Sequence, residues 1–583
     1  MRSLRTLVAG LAVLLLPSIA LRAEGPKPSS PLRLIPAEAD LLLEVPDPGR
    51  LARQPGRFPL AAQLQALPVV QEQMRSTAGR RGQQLLAYLE KSLGAKWPEL
   101  LDRLAGGGVT LATKIGSGTQ PALLVVQGKD ERLMERFVTW AIGLIEGELA
   151  RQESSDRVTT MMHEGVTVHR IGKELLVARL GAALVVSNHK DALARAIALH
   201  LGKRSDSLAT NEAFRQSRKH LPEAPLATGW LNLKPIESSP EGKELYRSPR
   251  DNNLLTILFG GYLAAFGRAP ALTAALCEER DGVAFRLHTA VDPDQLGPDR
   301  NLHLPPAKEV GGRPLLTPAG TIYSSSFYLD VARLWRDREA LFPARQASDL
   351  ANFDKNSGRV LAGTRLSTLL ESAGPYHRLV VANPSARGYK RELRSRYPAF
   401  AFVTELRQPE TFGKAMNTLL RTAAVASSVQ YHLKLVEETH HGHDLVAYRF
   451  DESKVVKADV DEVRFNFSPC FARVGNQFLF CSTIELGREL IDLLVAEQAS
   501  PPKGQPAAVF DRLSSAGFAA FLRDQADALV MQTILDRAVP PDQARAQVDQ
   551  FLRLLAGAGS LERQTILDPT GLRFEMRLRL RTR

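Results

Sequence analysis

Leu175-Leu-Val-Ala-Arg-Leu-Gly-Ala-Ala-Leu-Val-Val-Ser187 holds two apolar runs around an Ala-Arg-Leu-Gly step, and the chain writes this pattern twice. The second version is Cys470-Phe-Ala-Arg-Val-Gly-Asn-Gln-Phe-Leu-Phe-Cys481. An Ala-Arg-apolar-Gly step between two strand-like runs is a β-hairpin signal. A helix-like stretch follows each copy at once, over 190–201 and 484–495. With Gly475-Asn476 as a two-residue turn, Val474 faces Gln477 and, stepping outward, Cys470 faces Cys481. The first copy has Leu176 and Ser187 there. The unit itself therefore requires no bridge, and the pair is read either as a disulfide or as two buried thiols. Three cysteines in 583 residues are too few for a disulfide framework.

Working outward from the hairpins, most of the chain reads as one unit written twice. Pro318-Ala-Gly-Thr-Ile-Tyr answers Pro36-Ala-Glu-Ala-Asp-Leu, and Leu369-Leu-Glu-Ser-Ala-Gly374 answers Leu100-Leu-Asp-Arg-Leu-Ala-Gly106. The strand-like 401–406 answers 122–127. In the helices that follow, Phe412, Met416, Leu419 and Leu420 stand where Leu133, Phe137, Trp140 and Ala141 stood. Asp130 is a natural N-cap for the first helix, and Pro409 opens the second. Gly442 corresponds to Gly165, Gly475 to Gly181 and Gly571 to Gly282. The offsets shift between matched segments, which places insertions in loops, where added length costs least. The long insertion of the second copy, 451–461, is charged.

A copy of this size exceeds a solenoid repeat, so each should own a core. Hairpin-like strands with helices between groups predict an α+β fold: two homologous halves, each a mainly antiparallel sheet with inserted helices. The halves are placed at 24–291 and 314–583, joined by a Pro-, Gly- and charge-rich linker over 292–313.

At the N-terminus, Arg2 and Arg5 precede an apolar run over 7–16, with small residues at Ser18, Ala20 and Ala23. That is the layout of a secretory signal peptide over 1–23, the alternative being an uncleaved anchor. The apolar stretch 254–266 is too short to span a bilayer and reads as a buried, glycine-containing helix. Apolar content of 44% and charged content of 24% are those of an ordinary globular protein. Losing Arg2, Arg5 and Arg22 with the leader lowers the net charge of +12 to about +9. That excess favours anionic surfaces and gives no reason to expect nucleic acid.

The Leu34-Ile-Pro-Ala-Glu-Ala-Asp-Leu start, the Gly-terminated helix before Val109, the 122–127 strand with its long helix, and the Ser187 strand-helix resemble a family of exported bacterial proteins of unknown function. The resemblance implies a tandem α+β organisation and an envelope or periplasmic location, and it brings no catalytic residues with it.

The sequence contains no phosphate-binding Gly-x-x-x-x-Gly-Lys, no Gly-x-Ser-x-Gly elbow, no His-Glu-x-x-His and no Cys-x-x-Cys. The sharpest polar cluster is His440-His-Gly-His-Asp444, in which His441 and His443 would face one way on a strand. The plainer reading makes Gly442 a hairpin turn with exposed neighbours. The first copy has His163-Glu-Gly-Val-Thr there, and no further ligands are signalled. Two basic stretches read first as solvated faces of a basic protein, the alternative being docking surfaces for an anionic envelope polymer or lipid headgroups. One is Arg387-Gly-Tyr-Lys-Arg-Glu-Leu-Arg-Ser-Arg-Tyr397. The other is the last strand, with Leu572, Phe574, Met576, Leu578 and Leu580 inward and Arg573, Arg577, Arg579 and Arg581 outward, Glu575 being the exception. Trp97, Trp140, Trp230 and Trp335 read as core, and Tyr323-Ser-Ser-Ser326 as a candidate groove lining.

No catalytic, cofactor-binding or metal residue is assigned from the sequence. The expectation is an exported structural or ligand-binding component of the cell envelope without catalytic activity. The alternative is a hydrolase acting on envelope material, with a site between the halves that follows no known motif.

Overall fold

The computed structural model describes residues 30–580 apart from 117–119, 248, 307–310, 384–387, 392, 394, 457–458, 460, 501–503 and 505. The leader over 1–23 lies outside the described residues. The fold is α+β, 45% helix and 27% antiparallel strand. Its described residues divide into two compact units, 30–239 with 269–290, and 240–268 with 291–580.

In the first unit the described strands pair antiparallel throughout. From one edge the order is Val158–His163, Val166–Ile171, Leu175–Leu180, Ala183–Ser187, Ala122–Gln127, Gly108–Thr113, Leu41–Val45, Ala227–Asn232, Ala271–Glu279 and Gly282–Thr289. The hairpin closes as its sequence predicts, with Leu180 opposite Ala183 and Leu176 opposite Ser187. Leu193, Ala196 and Ile197 of the helix Lys190–His200 pack on Val125, Ala178 and Val185, with Leu34 and Ile35 completing the core. The long helix Glu131–Arg151 begins at Asp130, whose side chain accepts from the Leu133 amide at 2.9 Å. Its buried residues are Leu133, Met134, Val138 and Leu149. Phe137 and Trp140 are half-buried and pack against the same cluster.

The second unit has its own ten described strands. Their order is Leu433–His440, His443–Phe450, Cys470–Val474, Gln477–Cys481, Ala399–Leu406, Ala373–Ala382, Thr321–Tyr328, Ala507–Ser514, Ser560–Asp568 and Gly571–Arg579. Taken by position along the chain, this is the same strand order as in the first unit. Helices also enter at corresponding points, with Pro409–Tyr431 and Ile484–Ala499 standing where Glu131–Arg151 and Lys190–His200 stand. Cys470 lies opposite Cys481, as the two-residue turn requires. Both are free, buried thiols, and the Cys470 Sγ donates to the Thr483 carbonyl at 3.3 Å.

Strand 399–406 shows how the sheet chooses its faces. Ala399, Ala401 and Val403 are buried in the core that Leu490, Ile491 and Leu494 of helix Ile484–Ala499 also join. Phe400 and Phe402 point the other way and are exposed. Small residues let the helix backbone approach the sheet, and strict alternation sends the large rings to the opposite face.

Within 292–313, read from the sequence as a linker, Leu296, Asp299, Leu302, His303 and Leu304 are buried, the last three around a short helix Arg300–His303. Apolar residues spaced among Pro and charges are enough to seat a chain that lacks regular periodicity. The helix Asn253–Phe266 belongs with this segment rather than with its own sequence half. Asp299, 1% exposed at its side chain, pairs with Arg250 at 3%. His303 Nδ1 accepts from the Gly261 amide at 3.2 Å. A Cβ at Gly261 would stand 3.1 Å from the His303 Cβ, so glycine is what admits the contact. Only one side of the helix is buried, through Thr256, Gly260, Gly261, Ala264 and Ala265, whereas Leu254, Leu258 and Phe259 are exposed. Among the described residues no helix is long and apolar enough to cross a membrane.

Candidate functional site

The sequence-flagged histidines sit at the tip of the hairpin Leu433–His440 and His443–Phe450. His441 (φ 47°) and Gly442 (φ 79°) are both left-handed, the conformation a tight two-residue turn demands. His441 and His443 do not share a strand face as expected, because His441 is in the turn. The turn instead folds His441 back beside His440, with ring centroids 4.7 Å apart and planes at 84°. Both Nε2 atoms face one carboxylate oxygen, Asp492 Oδ1, at 2.7 Å from His440 and 3.2 Å from His441. Asp492 comes from helix Ile484–Ala499. One turn earlier on the same helix, Arg488 grips Glu438 with two bonds, Nε to Oε1 at 2.7 Å and Nη2 to Oε2 at 2.6 Å. That hydrogen-bonded guanidinium holds the Glu438 carboxyl below its ordinary range. Strand residues 438 and 440, two apart, meet helix residues 488 and 492, four apart, so both periodicities place their partners on facing surfaces. Asp492 was missed from the sequence, since nothing local links it to a turn fifty residues earlier.

The other flagged polar groups are occupied. Ser324, Ser325 and Ser326 are buried. Ser324 Oγ donates to the Leu316 carbonyl at 2.7 Å, Ser325 Oγ to Asp511 Oδ1 at 2.6 Å, and Ser326 Oγ accepts from the Arg313 amide at 3.1 Å. They hold the sheet and do not line an open groove. In the basic stretch, Tyr389 donates to the Phe467 carbonyl at 2.8 Å, and burial pushes its phenol up to about 12. Arg391 pairs with Glu462, while Arg387 and Arg394 lie outside the described residues. Of the tryptophans only Trp230 is fully buried; Trp97, Trp140 and Trp335 are half-buried.

The last strand departs from its expected polarity. Leu572 is buried, but Met576 and Leu578 are 43% and 38% exposed. The opposite face buries two acids, Glu562 and Glu575. Arg512 and Arg579 both bond Glu562, at 3.0 and 2.9 Å, and Arg577 bonds Glu575 at 2.9 Å. Much of that positive charge is therefore balanced within the sheet.

The other face of the same sheet carries one open apolar row. Registers align Phe400, Val381, Tyr323, Leu513, Leu561 and Leu578 in one row across six strands. At ordinary strand spacing the row runs about 24 Å. Four of its residues are exposed and two half-buried. On the adjacent row Phe402 and Met576 are also exposed, but Ser325 and the Asp511–Arg563 ion pair lie between them. In the first unit the equivalent face exposes Leu43 and Leu111, which lie opposite one another.

A cleft of about 200 Å³ in the first unit is lined by Pro36, Glu38, Lys114, His189, Asp191 and Arg195, among others. Glu38 pairs with Arg195, and His189 caps its helix by accepting from the Asp191 amide at 3.3 Å. The neighbouring Asp40 is likewise engaged, by the Ile115 amide at 3.1 Å and Asn232 at 2.8 Å. The volume falls below the roughly 300–1,000 Å³ of a typical small-molecule site.

No protein-family model matches the sequence, and no curated protein matches it. Among solved structures the chain is similar to crystal form IV of TP0453 at TM-score 0.24 and 11% identity, over 45% of this chain and 80% of that one. Crystal form III gives TM-score 0.23 and 11% identity over 46% and 80%, and crystal form I gives 0.23 and 12% over 45% and 79%.

Proposed function

We propose that the protein is an exported, non-catalytic binding component of the cell envelope, that its two halves descend from one duplicated module, and that its ligand is a lipid-like amphiphile. The open apolar row Phe400–Val381–Tyr323–Leu513–Leu561–Leu578 carries the binding reading. Burying half-exposed apolar side chains against an acyl chain is favourable by about 25 cal/mol per Å², whereas a row of this length left in water is costly. The balanced arginine face supports a ligand held chiefly by apolar contact, with headgroup charge secondary. The common strand order of the two units supports the duplication, and the Arg2–Ala23 pattern supports export.

Organic extraction of the purified, natively folded chain, followed by mass spectrometry, tests the reading. Co-purifying acylated species are expected; a chain that carries none and takes none up from mixed envelope lipids counts against it.

A further inference from the structure

We infer that His440, His441 and Asp492 form a binding site for a divalent first-row transition ion of the zinc class. Two imidazole nitrogens and a carboxylate oxygen lie within 4.8 Å of one another. In a tetrahedral zinc site with bonds of about 2.0–2.2 Å, neighbouring ligand atoms stand about 3.3 Å apart. The observed separations of 2.7 and 3.2 Å from Asp492 Oδ1 reach that arrangement by small side-chain rotations. Mixed imidazole and carboxylate donors suit zinc and its neighbours, whereas calcium and magnesium require oxygen ligands throughout.

The backbone favours this reading. Consecutive strand residues point to opposite faces, so two adjacent histidines ordinarily cannot share one ligand. They share one here because His441 occupies a left-handed turn position (φ 47°), a conformation uncommon outside Gly that Asn, Asp and His adopt more readily than other side chains. The equivalent turn of the first unit, Glu164 (φ 49°) and Gly165 (φ 78°), has the same geometry but different chemistry. There Glu164 pairs with Lys203 at 3.2 Å, a simple ion pair that offers no imidazole. The second unit thus converts a charge clip into three convergent donors. His441 and Asp492 are 61% and 50% exposed at their side chains, so an ion can enter from solvent and keep at least one position for water or an exogenous ligand.

Isothermal titration of the full chain with zinc chloride, with tetrahedral cobalt absorption as a second readout, tests the site. His441→Asn keeps an Asn-Gly turn and removes one donor; Asp492→Asn keeps the size and removes the charge. His163→Asn, in the matching hairpin of the first unit, is the control. The expected result is one ion bound per chain in the micromolar range, weakened at least about tenfold by either site variant and unchanged by the control. Matching far-UV circular dichroism shows that the variants fold. No binding to the unmodified chain, or binding that both site variants leave intact, overturns the assignment; the second result would place the ion elsewhere.

Discussion

His303 and His377 are buried imidazoles of the second unit, and burial lowers both below the ordinary value of 6.5. The folded chain keeps them neutral where the unfolded chain already takes up protons. Their contribution is therefore fully present above about 6.5 and is lost as pH falls from there toward the lower folded values. Thermal melts between pH 7.5 and 5 should show stability declining on acidification. His377 lies between Phe327 and Phe402 and bonds the Leu329 carbonyl at 2.9 Å. His377→Phe should cost about 1–3 kcal/mol at pH 7.5 through the orphaned carbonyl, yet flatten the acid decline; an equally steep decline would remove His377 from the explanation. Asp299→Ala leaves the buried Arg250 without its counter-charge, held only by the Leu245 and Tyr246 carbonyls, and should cost about 3–5 kcal/mol in denaturant unfolding. A loss within the range of a surface ion pair would show that water reaches that pair. The burial of Asp299 and His303 could not be read from sequence, because they sit in a Pro- and charge-rich stretch that has no apolar period.

Among the elements, the hairpins were legible to the residue: both turn positions and the Cys470–Cys481 register follow from one Gly and a period of two. The cysteine state was not, since opposed cysteines can be bridged or free. With both thiols buried and a hydrogen bond to Cys481 pushing the Cys470 thiol well above its ordinary value, alkylation of native protein should label neither. Alkylation in denaturant without reductant should then label all three cysteines; two labels fewer would establish a bridge. Helix 484–499 packs so closely over this hairpin that a Cβ at Gly487 would stand 2.7 Å from Cys470 Sγ. Gly487→Ala should therefore destabilise by about 1–3 kcal/mol, although helix propensity alone argues for a gain. The last strand misled the sequence reading for a physical reason. Alternation separates two faces but does not say which is inside, and here the face with buried Glu562 and Glu575 carries the arginines.

At the scale of the whole molecule, the α+β class and the order of elements follow from hairpin spacing and helix caps. The unit boundaries do not. Residues 240–268 join the second unit through Arg250, Gly260 and Gly261, contacts that glycine permits but that leave no mark in composition. The apolar row was equally hidden, because its six residues come from six strands and only the registers align them. The decisive measurement is a titration of the full chain with a fluorescent fatty-acid analogue, compared with a Phe400→Ser, Leu561→Ser double variant. Both positions are exposed, so the variant should fold with a stability change of about 0.5 kcal/mol or less per site. Saturable binding that the double variant weakens at least about tenfold is predicted, at roughly 1–2 kcal/mol of lost apolar contact. Equal binding by both proteins, or none by either, would contradict a role built on this open face.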